Sequence, residues 1–350
     1  KKRYICSIWL LNFSQMGKLR FCLLLLVLTV APCAYAQLAA SDSIKTHALS
    51  EIWIRDPFIL TDTLNQTYYL FGTTSSTQKP GSAGFDLYTS KDLVSWQGPY
   101  AIFRPYKGFW GSKNYWAPEC HVYQGKYYLF ATFFDTTANL RGTTILVADQ
   151  PNGPFTEHAM GRITPQEWGA LDGTLYIDRQ GNPWMVFCHE WTQIGDGTVE
   201  ALPLQKDLKA PVGKPVTLFC ASSVPWVKPY APQKFVTDGP FMFRNKHGEL
   251  FMLWSSFGEE GYALGMARSR NGDIQGPWEH LSKPLFARNG GHGMLFRTLN
   301  GQLMLTLHQP NEWPDERAQL FLIEEDDQGI PFVTTRLTPA DAIKGANDIE

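Results

Sequence analysis

One pattern recurs five times along this 350-residue chain: a short polar or acidic opening, an apolar strand-like run, a glycine-containing turn, and a second apolar run ending in small or polar residues. The copies read IRDPFILTDTLNQTYYLFGTTS from Ile54, YWAPECHVYQGKYYLFATFF from Tyr115, LDGTLYIDRQGNPWMVFCHEW from Leu171, TDGPFMFRNKHGELFMLWSSF from Thr237 and GHGMLFRTLNGQLMLTLHQP from Gly291. With Asp56, Ala117, Asp172, Asp238 and His292 taken as equivalent points, the spacings are 61, 55, 66 and 54 residues. Strand-built units repeating every roughly 40–60 residues make a β-propeller, one four-stranded blade per unit. The sequence therefore predicts an all-β, five-bladed propeller. Its opening motifs converge on one end of a central axis.

Turn chemistry supports the hairpins. Gln124-Gly125, the segment 179–182 (RQGN), the segment 246–249 (KHGE) and Asn300-Gly301 lie between β-rich runs, and glycine supplies the positive φ of a tight turn. The flanking YYLF, WMVF, FMLW and LMLT runs are too short and too β-prone for helices. A β-sandwich would also show short strands, but it has no reason to repeat an opening motif at blade spacing.

Apolar residues make up 44% of the chain and charged residues 18%, enough for a large core. A net charge of −2 gives no electrostatic case for nucleic acid. Aromatic residues at 14%, with 12 Trp, suit propeller cores and carbohydrate-facing surfaces alike. From Met16, the chain reads as a signal peptide: Lys18 and Arg20, an apolar run from Phe21 to Val30, and a small-residue cleavage site at Ala36-Gln37. Residues 1–15 read as upstream translation. The apolar run falls short of the roughly 20 residues a membrane span needs, and Pro32 follows it, so soluble export to a secreted or periplasmic location is expected, with no membrane span in the mature chain. Residues 37–50 read as a leader and 51–350 as one propeller domain. Of the cysteines, Cys120, Cys188 and Cys220 survive cleavage, and they lack metal-ligand spacing.

Three opening motifs carry an acid at the start of an innermost strand: Asp56, Asp172 and Asp238. The second strand returns antiparallel, so its last residues reach the same mouth, and Glu190 of the CHEW run joins the acids there. Paired carboxylates around a cavity are the equipment of glycoside hydrolysis, one as general acid and the other as base or nucleophile.

Taken together, IRDP, YWAPE, the Asp172 motif followed by DRQG, DGP and GHG resemble glycoside hydrolase family 43. The resemblance implies a five-bladed propeller that cleaves arabinose-, xylose- or galactose-containing glycans with inversion. It further implies Asp56 as general base and Asp172 as the acid that orients the proton donor and raises its pKa. Where the family carries Glu-Gly-Pro with the glutamate as general acid, this chain has Asp238-Gly239-Pro240. Asp238 is one methylene shorter, so Glu190, which has the missing length, is expected as proton donor ahead of Asp238, with Asp238 then holding substrate or tuning the pKa. His292 matches the family's axial histidine, which implies a metal ion on the axis, usually calcium, or a water cluster in its place. Trp116, Glu119, His121, Trp191, Phe257 and His308 are expected at the mouth as sugar-binding residues. The expected activity is exo-acting hydrolysis of α-L-arabinofuranosides, with β-xylosides or galactofuranosides next. A carbohydrate-binding propeller without catalysis is the alternative.

Overall fold

The computed structural model describes residues 45–74 and 83–337; the expected signal peptide lies outside them. Among the described residues, no helix is long and apolar enough to cross a membrane. They form five antiparallel sheets arranged as a five-bladed propeller.

Blade one contains β1 (Lys45–Ala48), β2 (Ile54–Asp62), β3 (Thr67–Thr74), β4 (Phe85–Ser90) and β5 (Ser95–Phe103). Its order is β2-β3-β4-β5-β1, so residues 45–48, within the segment read as a leader, supply its outermost strand. Blade two is β6 (Gly111–Tyr123), β7 (Lys126–Asp135), β8 (Leu140–Ala148) and β9 (Thr156–Glu157). Blade three is β10 (Ala170–Ile177), β11 (Pro183–His189), β12 (Thr198–Pro203) and β13 (Val216–Cys220), with a one-turn helix α1 (Trp191–Ile194) after β11. Blade four is β14 (Asp238–Arg244), β15 (Leu250–Gly258), β16 (Gly261–Ser269) and β17 (Trp278–His280). Blade five is β18 (Gly291–Arg297), β19 (Leu303–Gln309), β20 (Arg317–Glu325) and β21 (Pro331–Arg336).

Apolar side chains from facing sheets fill the wedges between blades. Phe130, Ile145, Met185 and Phe187 join blades two and three; Val186, Phe219, Trp226 and Trp254 join three and four; Phe251, Leu253, Leu305 and Phe321 join four and five. A further cluster runs from Met304 of blade five through Phe71 of blade one to Phe133 of blade two. These sheets bury both faces, so their strands read as near-continuous apolar runs rather than as alternation. Cys120, Cys188 and Cys220 are free thiols.

No strand is shared across the seam between the first and last blades. A single antiparallel bridge, Trp53↔Arg317, and side chains close it instead. Glu316, 0% exposed, accepts the indole N–H of Trp53 at 2.9 Å and an N–H of Arg55 at 2.7 Å, while Arg317 donates to the Ser50 carbonyl at 2.8 Å.

All five innermost strands carry the same irregularity. Pairing shifts by one residue after Arg55↔Thr73, Trp116↔Thr132, Leu171↔Cys188, Asp238↔Ser255 and Gly291↔His308. The next residue in each strand has positive φ: Asp56 (53°), Ala117 (44°), Asp172 (57°), Gly239 (52°) and His292 (48°). Each is the first residue of a β-bulge, in which two residues oppose one and the strand is re-aimed. This corrects the equivalence drawn from sequence: Gly239, not Asp238, is the blade-four counterpart of Asp56, Asp172 and His292. Asp238 sits one step earlier, level with Arg55, Trp116 and Leu171.

Candidate active site

The bulges explain how a strand can present an acid to the axis. A bulge residue's amide leaves the ladder of its own blade and finds an acceptor on the preceding blade. Ala117 donates to Thr73 Oγ1 at 2.8 Å, Asp172 to Thr132 Oγ1 at 2.9 Å, His292 to Ser255 Oγ at 2.7 Å and Asp56 to His308 Nδ1 at 3.2 Å. Each acceptor pairs with the residue just before its own blade's bulge, so these bonds form a ring of inter-blade latches. At the fifth position stands Cys188, a weak acceptor, and the Gly239 amide instead donates to Asp172 Oδ2 at 3.0 Å. Glycine is required at that bulge, because a Cβ there would lie 2.6 Å from the His292 ring.

The opening ends of the inner strands surround a cavity of about 600 Å³ whose lining includes Asp56, Asp172, Asp238, His292, Arg55 and Trp116. Pre-bulge residues lie nearer the mouth and bulge residues one step deeper. Asp56 accepts from Thr73 Oγ1 at 2.8 Å and lies 3.1 Å from His292 Nδ1. Asp172 is 3.7 Å from the same nitrogen. Asp238 accepts from the Tyr262 hydroxyl at 3.0 Å.

This geometry separates three acids of one type. Burial pushes the Asp56 carboxyl up, but the facing His292, with Arg55 and His308 behind it, holds it well below the usual carboxylate range. Asp172 is raised to about 8 by burial, with the charges of Asp238 and Asp56 adding and His292 opposing. Asp238 is raised to about 6, again by burial, against the pull of His292 and the Tyr262 hydrogen bond. The last two titrate as a pair, so one proton is retained between them over the neutral range. Burial disfavours a charged His292, yet Asp56 and Asp172 raise it to about 10. His308 goes the other way, to about 3, through burial and the nearby Arg55; its neutral ring accepts the Asp56 amide through Nδ1 and donates through Nε2 to Asn311 Oδ1 at 3.1 Å.

The expected calcium ion finds no support in the donor set: among the described residues no group of three or more His, Cys, Asp and Glu is arranged to hold a metal, and His292 faces Asp56 and Asp172 instead.

The remaining expected residues divide. Trp116 lines the cavity, with the Arg141 guanidinium 4.7 Å from its ring. Arg141 is ion-paired with the buried carboxylate of Glu190, and Glu190 is not among the cavity-lining residues. His308 is fully buried beneath Asp56 rather than exposed to a ligand. Glu119 and His121 are not at the mouth, because β6 runs away from it at roughly 3.3 Å per residue. The His121 ring bonds Glu119 at 3.1 Å and lines a separate hollow with Phe58, Phe241 and Met294. Trp191 and Phe257 stand outside the cavity lining, packed on either side of Tyr230 with ring centroids 5.3 and 4.9 Å away. Arg55, Tyr262, Trp53, Trp313 and Glu316 line the cavity without having been anticipated. Arg55 adjoins Asp56 in the RDP motif and could have been found there; the others come from outer strands and loops that the repeat does not mark.

A family model described as glycosyl hydrolases family 43 matches residues 49–324. An extracellular exo-α-(1→5)-L-arabinofuranosidase, ArbA, of Cellvibrio japonicus is 25% identical over 70% of this chain and 71% of its own length. An extracellular endo-α-(1→5)-L-arabinanase of Bacillus subtilis is 25% identical over 40% of this chain, a match spanning 45% of that enzyme. The crystal structure of an endo-arabinase from Bacteroides thetaiotaomicron VPI-5482 superposes with a TM-score of 0.74 at 41% identity, covering 82% of this chain and 99% of that one. With its propeller, its three axial acids and a family match across nearly all the described residues, the chain belongs to glycosyl hydrolases family 43, whose members hydrolyse glycosidic bonds.

Proposed function

We propose that the chain is an exported, inverting glycosidase that releases terminal α-L-arabinofuranosyl units. The observation that carries this reading is the division of protonation among Asp56, Asp172 and Asp238 within one buried cavity. Asp56, ionised and held by Thr73 and His292, takes a proton from the water that attacks the anomeric carbon. Asp238 gives its proton to the departing glycosidic oxygen, and the bond breaks with inversion. Asp172, fixed by the Gly239 amide, shares the proton with Asp238 and keeps it available at neutral pH. Asp238 is preferred to Glu190 as donor because it lines the cavity, whereas Glu190 is engaged by Arg141. His292 contributes charge and orientation to Asp56. The three acids favour hydrolysis over a binding-only propeller.

The sugar rests on similarity to proteins described as arabinanases and an arabinofuranosidase, and export on the leader motif together with two relatives described as extracellular. Internal cleavage of arabinan is the second reading, favoured by the 41% identical protein described as an endo-arabinase. Proton NMR of the nascent anomer tests the mechanism, since retention excludes the role given to Asp56. Linear arabinan separates the two modes: end-wise attack releases arabinose with little loss of viscosity, whereas internal cleavage collapses viscosity first.

A further inference from the structure

Trp313 is 66% exposed, although it belongs to a segment that is otherwise fastened to the base of the site. The segment follows β19 and is tied at two points. Asn311 Oδ1 accepts from Arg55 Nη2 at 2.8 Å and from His308 Nε2 at 3.1 Å. Glu316 accepts from Arg55 and from the indole of Trp53. The Trp313 ring meets Trp53 edge to face, with centroids 5.0 Å apart, and both rings line the cavity that holds the three acids. Arg55 completes the corner, with 33% of its side chain open to solvent.

An indole left in water forgoes the burial that stabilises such a side chain elsewhere in the fold. Packed edge to face on Trp53 in a short segment pinned at Asn311 and Glu316, it is preorganised, so binding against it costs little ordering entropy. A flat apolar face beside hydrogen-bonding groups matches a sugar ring, which presents C–H bonds on its faces and hydroxyls at its edges.

We infer that Trp313, backed by Trp53 and flanked by Arg55, is a stacking platform for a second sugar unit of the substrate, next to the unit whose bond is cleaved. This rests on the glycosidase reading and specifies that the enzyme selects for an oligosaccharide over a single glycoside. Removal of the platform should therefore weaken oligosaccharides more than substrates that fill only the innermost position.

The test compares the unsubstituted chain with Trp313→Ala and Trp313→Tyr. KM is measured for 4-nitrophenyl α-L-arabinofuranoside and for α-1,5-L-arabinotriose. Dissociation constants are measured by calorimetry for arabinotriose, xylotriose and galactotriose in an Asp238→Asn background, where turnover does not interfere. Trp313→Ala should raise KM and Kd for the preferred trisaccharide by roughly tenfold, as expected for the loss of one stacked ring, and by clearly more than it raises KM for the aryl glycoside. Trp313→Tyr should recover most of the difference. Equal changes for long and short ligands, or no change for either, would overturn the platform. Trisaccharide binding without hydrolysis would count against the glycosidase reading while leaving the platform to be judged on Kd; no binding of any trisaccharide would overturn both. Circular dichroism checks that the variants fold.

Discussion

The amide of Gly239 donates to Asp172 Oδ2 at 3.0 Å, whereas the four equivalent bulge amides are bound by Thr73, Thr132, Ser255 and His308 of the preceding blades. The exception follows from what occupies the fifth latch position. Burial drives the Cys188 thiol well above its usual pKa, so it remains a neutral thiol and a poor acceptor. Cys188→Ser would place a hydroxyl where the other blades use one and draw the Gly239 amide away from Asp172. An anion losing a donor is harder to form, so the alkaline limb of the rate profile should move to higher pH. Cys188→Ala, which offers no acceptor, should leave that limb in place. Coincident limbs in the serine variant and the unsubstituted chain would refute the competition.

The profile itself should be a bell. The active form carries one proton on the Asp172–Asp238 pair, so kcat/KM should fall as pH drops below about 6, where the pair gains its second proton, and again above about 8, where it loses its last. Asp56 is held too low to set the acid limb. Asp172→Asn leaves Asp238 to titrate alone, and the alkaline limb should retreat toward about 6. A limb unmoved by that substitution would separate Asp172 from the proton donor.

Leaving-group dependence identifies the donor. Asp238→Asn should depress hydrolysis of an arabino-oligosaccharide by ~10²–10⁴-fold, the usual contribution of general acid catalysis, and should affect an aryl glycoside with an acidic phenol far less. Glu190→Gln loosens Arg141 over Trp116 and should affect both substrates alike. The reverse pattern would return the donor role to Glu190.

Glu316→Ala should lower stability by roughly 2–3 kcal/mol in urea unfolding. It strands the indole N–H of Trp53 and the guanidinium of Arg55. The loss should fall below the ~3–5 kcal/mol of a fully buried pair because the Arg55 side chain is one-third exposed. A change under about 0.5 kcal/mol, typical of an unremarkable surface substitution, would mean that the seam is held elsewhere.

The blades were legible because their signals are local. Gly125, Gly181, Gly248 and Gly301 all adopt positive φ at the turns read from sequence, and the apolar runs beside them became the paired strands. The one-residue offset of Asp238 was not legible. Aligning acid with acid is natural in a string of letters, yet the bulge counts from backbone pairing, and Asp238 still pairs with Ser255 before the shift. Glu119 and His121 misled for a related reason: they follow the WAP motif closely in sequence, but a strand carries each successive residue farther from the mouth. Tyr262, Trp313 and Glu316 lie on outer strands or loops, where no periodic pattern announces a position, and only the closed ring brings them to the acids.

Between blades one and two, and onward to blade five, the chain itself spans each boundary as a covalent tether. Blade five meets blade one without one, so only non-covalent bonds hold the ring closed there. Because Arg55 serves both that junction and the neighbourhood of Asp56, an opening there would reach Asp56 together with the Trp53–Trp313 corner of the cavity. The amide of Ile54, bonded across the gap to the Glu316 carbonyl at 3.4 Å, is placed to report such openings by hydrogen exchange. A bound saccharide bridging Trp53 and Trp313 would act as a clasp, slowing exchange at that amide and tying the endurance of the fold to the presence of its substrate.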